Sequence, residues 1–201
     1  MKTLRLYGAR LLVALLLTLV AYNASGSSGS DVGTTWTLRV PGINDFNSVT
    51  YGNSLFVAVG DRGAILTSPD GANWTARISG TSNDLYGVAY GNGTFVAVGE
   101  YGTILTSRDG VNWTERTSET SKSLLNVAYG NGTFVAVGGD TILTSQDGVK
   151  WTKRTSPISD PLLLRGVTHG SNTFVAVGAK GTILTSQDGV NWTQRDVAPL
   201  D

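Results

Sequence analysis

Residues 95–116 read FVAVGEYGTILTSRDGVNWTER, and close copies of this stretch occupy residues 56–77, 134–154 and 174–195. Each copy ends in a tryptophan, a threonine, one variable residue and an arginine, and Trp36 begins the same phrase once more. The five tryptophans are therefore 38, 39, 38 and 41 residues apart. A sequence that repeats at about 40 residues indicates an array of similar units, none of which buries its apolar residues alone.

Glycine-containing turns divide each repeat into four short runs of strand-forming residues. In the second repeat these runs are 86–90, 94–98, 103–107 and 113–117. They are rich in Val, Ile, Thr, Phe and Trp, which favour strands, and the sequences GNG at 91–93 and DG at 109–110 are typical of hairpin turns. Four antiparallel strands repeated every 40 or so residues predict a β-propeller blade. The alternative is a β-solenoid, whose coils are usually shorter.

The predicted fold class is therefore all-β, a β-propeller of four-stranded antiparallel blades. The FVAVG strand is apolar on both faces, as expected when a blade packs against a neighbour on each side. The propeller domain is predicted at 34–201, with complete units at about 46–77, 85–116, 124–154 and 164–195 and an extra outer strand at 34–39.

The number of units does not decide whether the propeller closes into a ring. Four complete strand sets and one lone fourth strand fit a closed four-bladed disc, an open arc, or a ring shared by two chains. An open arc exposes two apolar blade faces to water, which favours closure or association. The pattern therefore predicts a possible homodimer through open blade edges.

The composition limits the function classes. The chain has 201 residues, 15 Lys+Arg, 15 Asp+Glu, one histidine and no cysteine. A strongly basic nucleic-acid binder, a disulfide framework and a cysteine-ligated zinc site are therefore excluded. One histidine and no cysteine leave almost no residues for Ser–His or Cys–His nucleophilic catalysis. We expect no cofactor, no metal and no nucleic-acid partner.

The first 26 residues have the layout of a secretory signal peptide. Lys2, Arg5 and Arg10 precede an apolar run at 11–22, which is too short for a membrane span of roughly 20 residues. We predict a signal peptide at 1–26, a flexible linker at 27–33, and a protein that is secreted, periplasmic or at the cell surface, with no stable membrane span after cleavage. An uncleaved anchor is the alternative. Cleavage removes three positive charges and leaves 12 positive against 15 negative residues, a net charge of −3.

Each repeat carries the phrase S-x-D-G-x-x-W between its third and fourth strands. The phrase resembles the Asp-box, or BNR, repeat of sialidase-like propellers, and is one residue shorter than the usual S-x-D-x-G-x-T-W form. It is similar to the variant in photosystem II assembly-factor propellers, sortilin-type ectodomains and oligoxyloglucan-hydrolysing propellers. The resemblance covers residues 34–195 and implies the fold, whereas propellers host many unrelated activities. The residues that carry it are Ser68, Asp70, Trp74, Ser107, Asp109, Trp113, Ser145, Asp147, Trp151, Ser186, Asp188 and Trp192.

We expect these boxes to be structural. The aspartate accepts backbone N–H bonds, the serine adds another, and the tryptophan covers the turn. His169 stands where the other repeats have tyrosine, so we expect a packing role. The repeated arginines are expected to pair with a carboxylate of a neighbouring blade, and an anion-binding rim is the alternative. They are Arg39, Arg77, Arg116, Arg154 and Arg195.

The repeats differ most in the turn after the second strand and in the connector to the next repeat. In an up-and-down blade these segments emerge on the same side, and variable loops on a rigid scaffold commonly bind partners. We hypothesise that this side, the variable-loop face, binds a protein or glycan; unselected drift of the turns is the alternative. The candidate binding residues are Asp61, Arg62, Glu100, Tyr101, Asp140 and Lys180.

The sequence thus predicts a non-catalytic binding or scaffold module. One alternative is a sialidase-like glycan hydrolase, which needs a carboxylate pair such as Asp61 or Glu100 with Asp140. Another is an architectural fragment of a larger surface propeller.

Overall fold

A computed structural model describes residues 45–158 and 164–196. The chain divides into two compact units, residues 1–38 and 39–201, and every described residue belongs to the second. The signal peptide, linker and lone strand expected at 1–39 lie outside the described residues. Among the described residues, no helix has the length and apolar character needed to cross a membrane.

Sixteen described strands form four antiparallel sheets, each with its strands in chain order, so the all-β propeller fold is confirmed. Blade 1 contains β1 (Phe46–Gly52), β2 (Leu55–Gly60), β3 (Ile65–Ser68) and β4 (Thr75–Arg77). Blade 2 contains β5 (Leu85–Gly91), β6 (Thr94–Gly99), β7 (Ile104–Ser107) and β8 (Thr114–Arg116). Blade 3 contains β9 (Asn126–Gly130), β10 (Thr133–Gly138), β11 (Thr141–Ser145) and β12 (Thr152–Arg154). Blade 4 contains β13 (Leu164–Gly170), β14 (Thr173–Gly178), β15 (Ile183–Ser186) and β16 (Thr193–Gln194).

The hairpin between the first two strands of each blade is a two-residue turn. In blade 2, Gly91 pairs with Thr94, and the intervening Asn92 and Gly93 have φ of +47° and +70°. Positive φ at both central residues matches the right-handed twist of the flanking strands. Asparagine and glycine adopt this conformation readily, which explains the GNG sequence.

The second strand of each blade shares its apolar side chains between two interfaces. In β6, Phe95 and Ala97 pack on Val57 and Val59 of blade 1. The two valines that alternate with them face blade 3. Side chains alternate between the faces of a strand, so one FVAVG phrase serves both neighbours.

Three apolar clusters of this kind join blade 1 to blade 2, blade 2 to blade 3, and blade 3 to blade 4. The first strands pack in the same order, β1 on β5, β5 on β9 and β9 on β13. No corresponding strand packing joins β13 to β1 within the described residues. Within the part of the chain that the structure describes, one face of blade 1 and one face of blade 4 therefore have no neighbouring blade, and we call them the free faces.

Candidate functional site

The variable-loop face contains the turns after the second strands together with the connectors between blades. The backbone N–H of Arg62 donates to Oδ1 of Asp84 at 2.7 Å, which joins the blade 1 turn to the connector that precedes blade 2. Similarly, the N–H of Asp84 donates to Oε2 of Glu100 at 3.3 Å. These bonds place the two kinds of variable segment side by side.

Three of the four variable turns hold a residue with a side chain in the left-handed backbone region. They are short 3-10 turns at Asp61–Gly63, Glu100–Gly102 and Ala179–Gly181. Their central residues have φ of +55° at Arg62, +51° at Tyr101 and +55° at Lys180. Only glycine adopts this region without a steric penalty. The backbone is therefore strained at these tips.

The candidate residues differ in how far their side chains are exposed to solvent. The side chains at the three strained tips are exposed, and that of Tyr101 is 69% exposed. The carboxylate residues of the same turns and of the blade 3 turn are half-buried; they are Asp61, Glu100 and Asp140. The face therefore presents a cation, an aromatic ring and a second cation on three separate blades.

A group of carboxylates surrounds Tyr86 between blades 1 and 2. Burial raises the pKa of Tyr86, and the negative charges of Glu100 and Asp84 raise it further. Asp61 belongs to the same group and accepts a hydrogen bond from Nδ2 of Asn47 at 3.1 Å. This part of the face is therefore acidic. Sequence analysis missed Asp84 and Tyr86, although Asp84 lies in a variable connector.

The blade 3 turn differs from the other three. It is one residue shorter, and Gly139 takes the positive φ, +61°. Here Nζ of Lys122 forms an ion pair with Asp140 at 2.6 Å. The hydrogen bond from Lys122 is the main cause that lowers the pKa of Asp140. Asp140 is therefore a paired, ionised carboxylate.

The box turns are hydrogen-bonded networks between the third and fourth strands. In blade 2 the hydroxyl of Ser107 donates to Oδ1 of Asp109 at 2.9 Å and accepts the N–H of Gly110 at 2.8 Å. The same Oδ1 accepts the N–H groups of Val111 and Asn112 at 2.9 and 2.8 Å. All four boxes repeat these bonds.

The tryptophan of each box closes the turn. Nε1 of Trp113 donates to the carbonyl of Gly110 at 2.9 Å, and its ring lies 6.5 Å from the ring of Phe95. The other boxes make the same bond to the corresponding glycine. The box thus links the turn to the second strand of its own blade.

These networks lower the pKa of all four box aspartates. In each case the largest cause is the backbone N–H of the residue three positions later. Three boxes add a side-chain bond from asparagine to the second carboxylate oxygen, for example from Asn112 to Asp109 at 2.7 Å. Blade 3 has Lys150 at that position and lacks this bond.

The four described arginines of the repeats bond within their own blade, so the expected pairing with a carboxylate of a neighbouring blade is wrong for these four, and Arg39 lies outside the described residues. Nε of Arg116 donates to Oγ1 of Thr106 at 2.9 Å, and the other three described arginines bond the equivalent threonine at 2.7–2.8 Å. The fourth strand lies beside the third, so the threonine is the acceptor within nearest reach.

His169 packs as the tyrosines do. Its ring lies 4.7 Å from that of Phe174, and the Tyr–Phe pairs of the other blades are 4.6 Å apart. Nε2 of His169 is buried without a hydrogen-bond partner. The ring contact is the one that the tyrosines make, which fits a packing residue.

No family model matches the chain, and no curated protein sequence matches it. Solved structures do match. YCF48 from Cyanidioschyzon merolae aligns with a TM-score of 0.62 at 18% identity, over 80% of this chain and 58% of that one. YCF48 bound to D1 peptide gives 0.58 at 22% identity over the same shares. Virginiamycin B lyase from Staphylococcus aureus gives 0.58 at 11% identity, over 77% of this chain and 70% of that one.

The chain therefore spans 58% of the length of the YCF48 chains that it matches. At these identities the likeness concerns the fold, and a fold hosts unrelated functions. The four sheets, their strand order and these structural neighbours together show that the chain is a β-propeller repeat protein.

Proposed function

We propose that this propeller is an exported, non-catalytic protein-binding module whose variable-loop face receives an extended peptide segment. The observation that carries the proposal is the repeated left-handed tip, with Arg62, Tyr101 and Lys180 in a conformation that glycine adopts more easily. Backbone strain of this kind costs about 1–2 kcal/mol per residue. Side chains held at such a cost on an exposed face are candidates for a binding role.

The chemistry of the three tips suits a polar peptide. An exposed tyrosine offers a large contact area at a low entropic cost, and the flanking cations attract carboxylates. The acidic group around Tyr86 attracts the cations of a partner. The structure of YCF48 bound to D1 peptide supports a peptide partner, because it is a propeller of similar fold in complex with one.

The hydrolase alternative has weaker support. A glycosidase acid needs a raised pKa to hold its proton near neutral pH. The pKa of Asp140 is instead lowered by its bond with Lys122. Each proposed pair includes Asp140, so Asp140 would have to be the nucleophile or base, yet both of its carboxylate oxygens accept hydrogen bonds from Nζ of Lys122.

Export is part of the proposal and is supported by the sequence. The basic residues before the apolar run at 11–22 have the arrangement of a signal peptide. N-terminal sequencing of the protein recovered outside the cytoplasm, compared with a Leu15→Arg variant that is expected to stay inside, tests this part.

A random-peptide phage library and a glycan array, both probed with the purified protein, test the ligand. We expect enriched peptides whose affinity falls at least tenfold in the double variant Arg62→Gly, Tyr101→Gly. Glycine relieves the strained backbone, so this variant keeps the thermal stability of the parent or exceeds it. The matched control is Asn92→Gly, which relieves a positive φ of +47° on the opposite face and is expected to leave binding unchanged.

Three results would overturn the proposal. Peptides that bind the double variant as tightly as the parent would remove the variable-loop face as the site. Glycans that bind while no peptide is enriched would favour the glycan alternative. No ligand of either class would favour the architectural alternative.

A further inference from the structure

In blades 1, 2 and 3, the glycine at the end of the first strand receives an aromatic ring from the next blade. A Cβ atom on Gly52, Gly91 or Gly130 would collide with the ring of Tyr90, Tyr129 or His169, respectively. These three glycines are buried. The same knob-in-socket contact therefore forms at all three interfaces between blades.

At the free faces of blades 1 and 4, only one partner of this contact is present. A Cβ on Gly170 of blade 4 would meet nothing within 4 Å, and this glycine is exposed. Tyr51 of blade 1 is 56% exposed. Blade 4 thus has a socket without a ring, and blade 1 has a ring without a socket.

The valines at the same faces are exposed in the same way. Val49 is 60% exposed, whereas the equivalent valines of blades 2, 3 and 4 are at most 8% exposed. Val177 is 45% exposed, whereas its equivalents in blades 1, 2 and 3 are completely buried. Each free face therefore carries the apolar residues that pack elsewhere against a neighbouring blade.

We infer that the free face of blade 4 binds the free face of blade 1 of a second copy, in the arrangement of the three internal interfaces. The contact is heterologous, because the two surfaces differ. It therefore forms a ring if the rotation closes and a filament if it does not. The inference is independent of the proposed function, since it involves the sides of the blades and not the variable-loop face.

Light scattering after size exclusion, over a dilution series of the purified protein, measures the association. We expect a mass of two or more copies that falls on dilution. Val177→Asp and Val49→Asp each place a charge on one free face, so each variant is expected to be a monomer. The matched control is Val190→Asp, in an exposed box turn of blade 4, which is expected to keep the parent mass.

Mixing the two monomeric variants tests whether blade 4 of one copy contacts blade 1 of the other. Val177→Asp retains a normal blade 1 face and Val49→Asp retains a normal blade 4 face, so the mixture is expected to form a complex of one copy of each. A parent protein that is monomeric at all concentrations would overturn the inference, as would a mixture that stays monomeric. A Val177→Asp variant that still associates would show contact through another surface.

Disulfide crosslinking tests whether the free face of blade 4 contacts blade 1 of a second copy. The chain has no cysteine, so Tyr51→Cys combined with Gly170→Cys introduces the only two thiols. Oxidation is expected to give linked copies on a non-reducing gel, whereas Tyr51→Cys with Val190→Cys is expected to give far fewer. An intrachain disulfide would instead show that blade 4 closes on blade 1 of the same chain, and would overturn the inference.

Discussion

Blades 2 and 4 contain the same six residues, TFVAVG, at Thr94–Gly99 and Thr173–Gly178. Both stretches form the second strand of a blade and pair in the same register, Phe95 with Ser107 and Phe174 with Ser186. Val98 is nevertheless buried and Val177 exposed. Strand formation and register therefore depend on the repeat itself, whereas burial depends on whether a blade follows. Substitutions at equivalent positions inside and at the edge of the array separate these two contributions.

The largest difference is expected between Phe95→Ala and Phe56→Ala. Phe95 is completely buried between two blades, whereas Phe56, its equivalent in blade 1, is half-buried at the free face. Removing a buried phenylalanine ring costs about 3–5 kcal/mol of unfolding free energy. We expect that loss for Phe95→Ala and less than half of it for Phe56→Ala, measured by urea unfolding in dilute solution. Equal losses would mean that the free face of blade 1 is covered.

A smaller difference is expected between Gly91→Ala and Gly170→Ala. A Cβ at Gly91 collides with Tyr129, and one at Gly170 meets nothing within 4 Å. Overpacking of this kind costs about 1–3 kcal/mol. In dilute solution we expect Gly91→Ala to lower the urea midpoint and Gly170→Ala to leave it unchanged. A loss at Gly170 similar to that at Gly91 would contradict an open socket.

The box carboxylates should make stability depend on pH. Their pKa values in the folded protein lie below the ordinary 3.8. The unfolded chain therefore binds protons first, and the stabilisation is complete above that ordinary value and is lost as pH falls below it. We expect the urea midpoint to be flat from neutral pH to about 5 and to fall below about 4. Asp109→Asn should reduce this fall, and an unchanged acid dependence would exclude the carboxylate as its source.

The smallest effect is expected at the box of blade 3. Lys150→Asn introduces the amide that bonds the second carboxylate oxygen in the other three boxes. One such bond contributes about 0.5–1.5 kcal/mol, so the unfolding free energy should rise by that amount. Lys153→Asn, on the exposed outer strand, is the control and should have no effect. A gain in both variants would point to the removal of a lysine charge instead.

The repeats made the propeller predictable, because the turn sequences and the apolar runs recur in every unit. In blade 2 the predicted strands at 94–98 and 103–107 differ by one residue from Thr94–Gly99 and Ile104–Ser107. The hydrogen bonds of the box turn were equally predictable, because serine and aspartate at these spacings bond the nearby backbone. Local chemistry alone specifies both features.

The variable-loop face was less predictable. Nothing in the identity of Arg62 or Tyr101 signals a left-handed backbone, because the surrounding turn imposes it. The ring contact at Gly52 depends on a residue 38 positions later, in a different blade. The partner of Arg116 was wrongly expected to be a carboxylate, although Thr106 recurs in step with it in every repeat. These features depend on three-dimensional neighbours, which a single repeat does not contain.

The division of the FVAVG phrase between two interfaces has an evolutionary consequence. Each unit carries one half of the contact on either side, so a unit inserted or deleted by unequal recombination meets neighbours that already fit it. The outermost surfaces of the array remain the same whatever the number of units. Blade number in such a gene can therefore change in single steps, with no compensating substitution required at any junction.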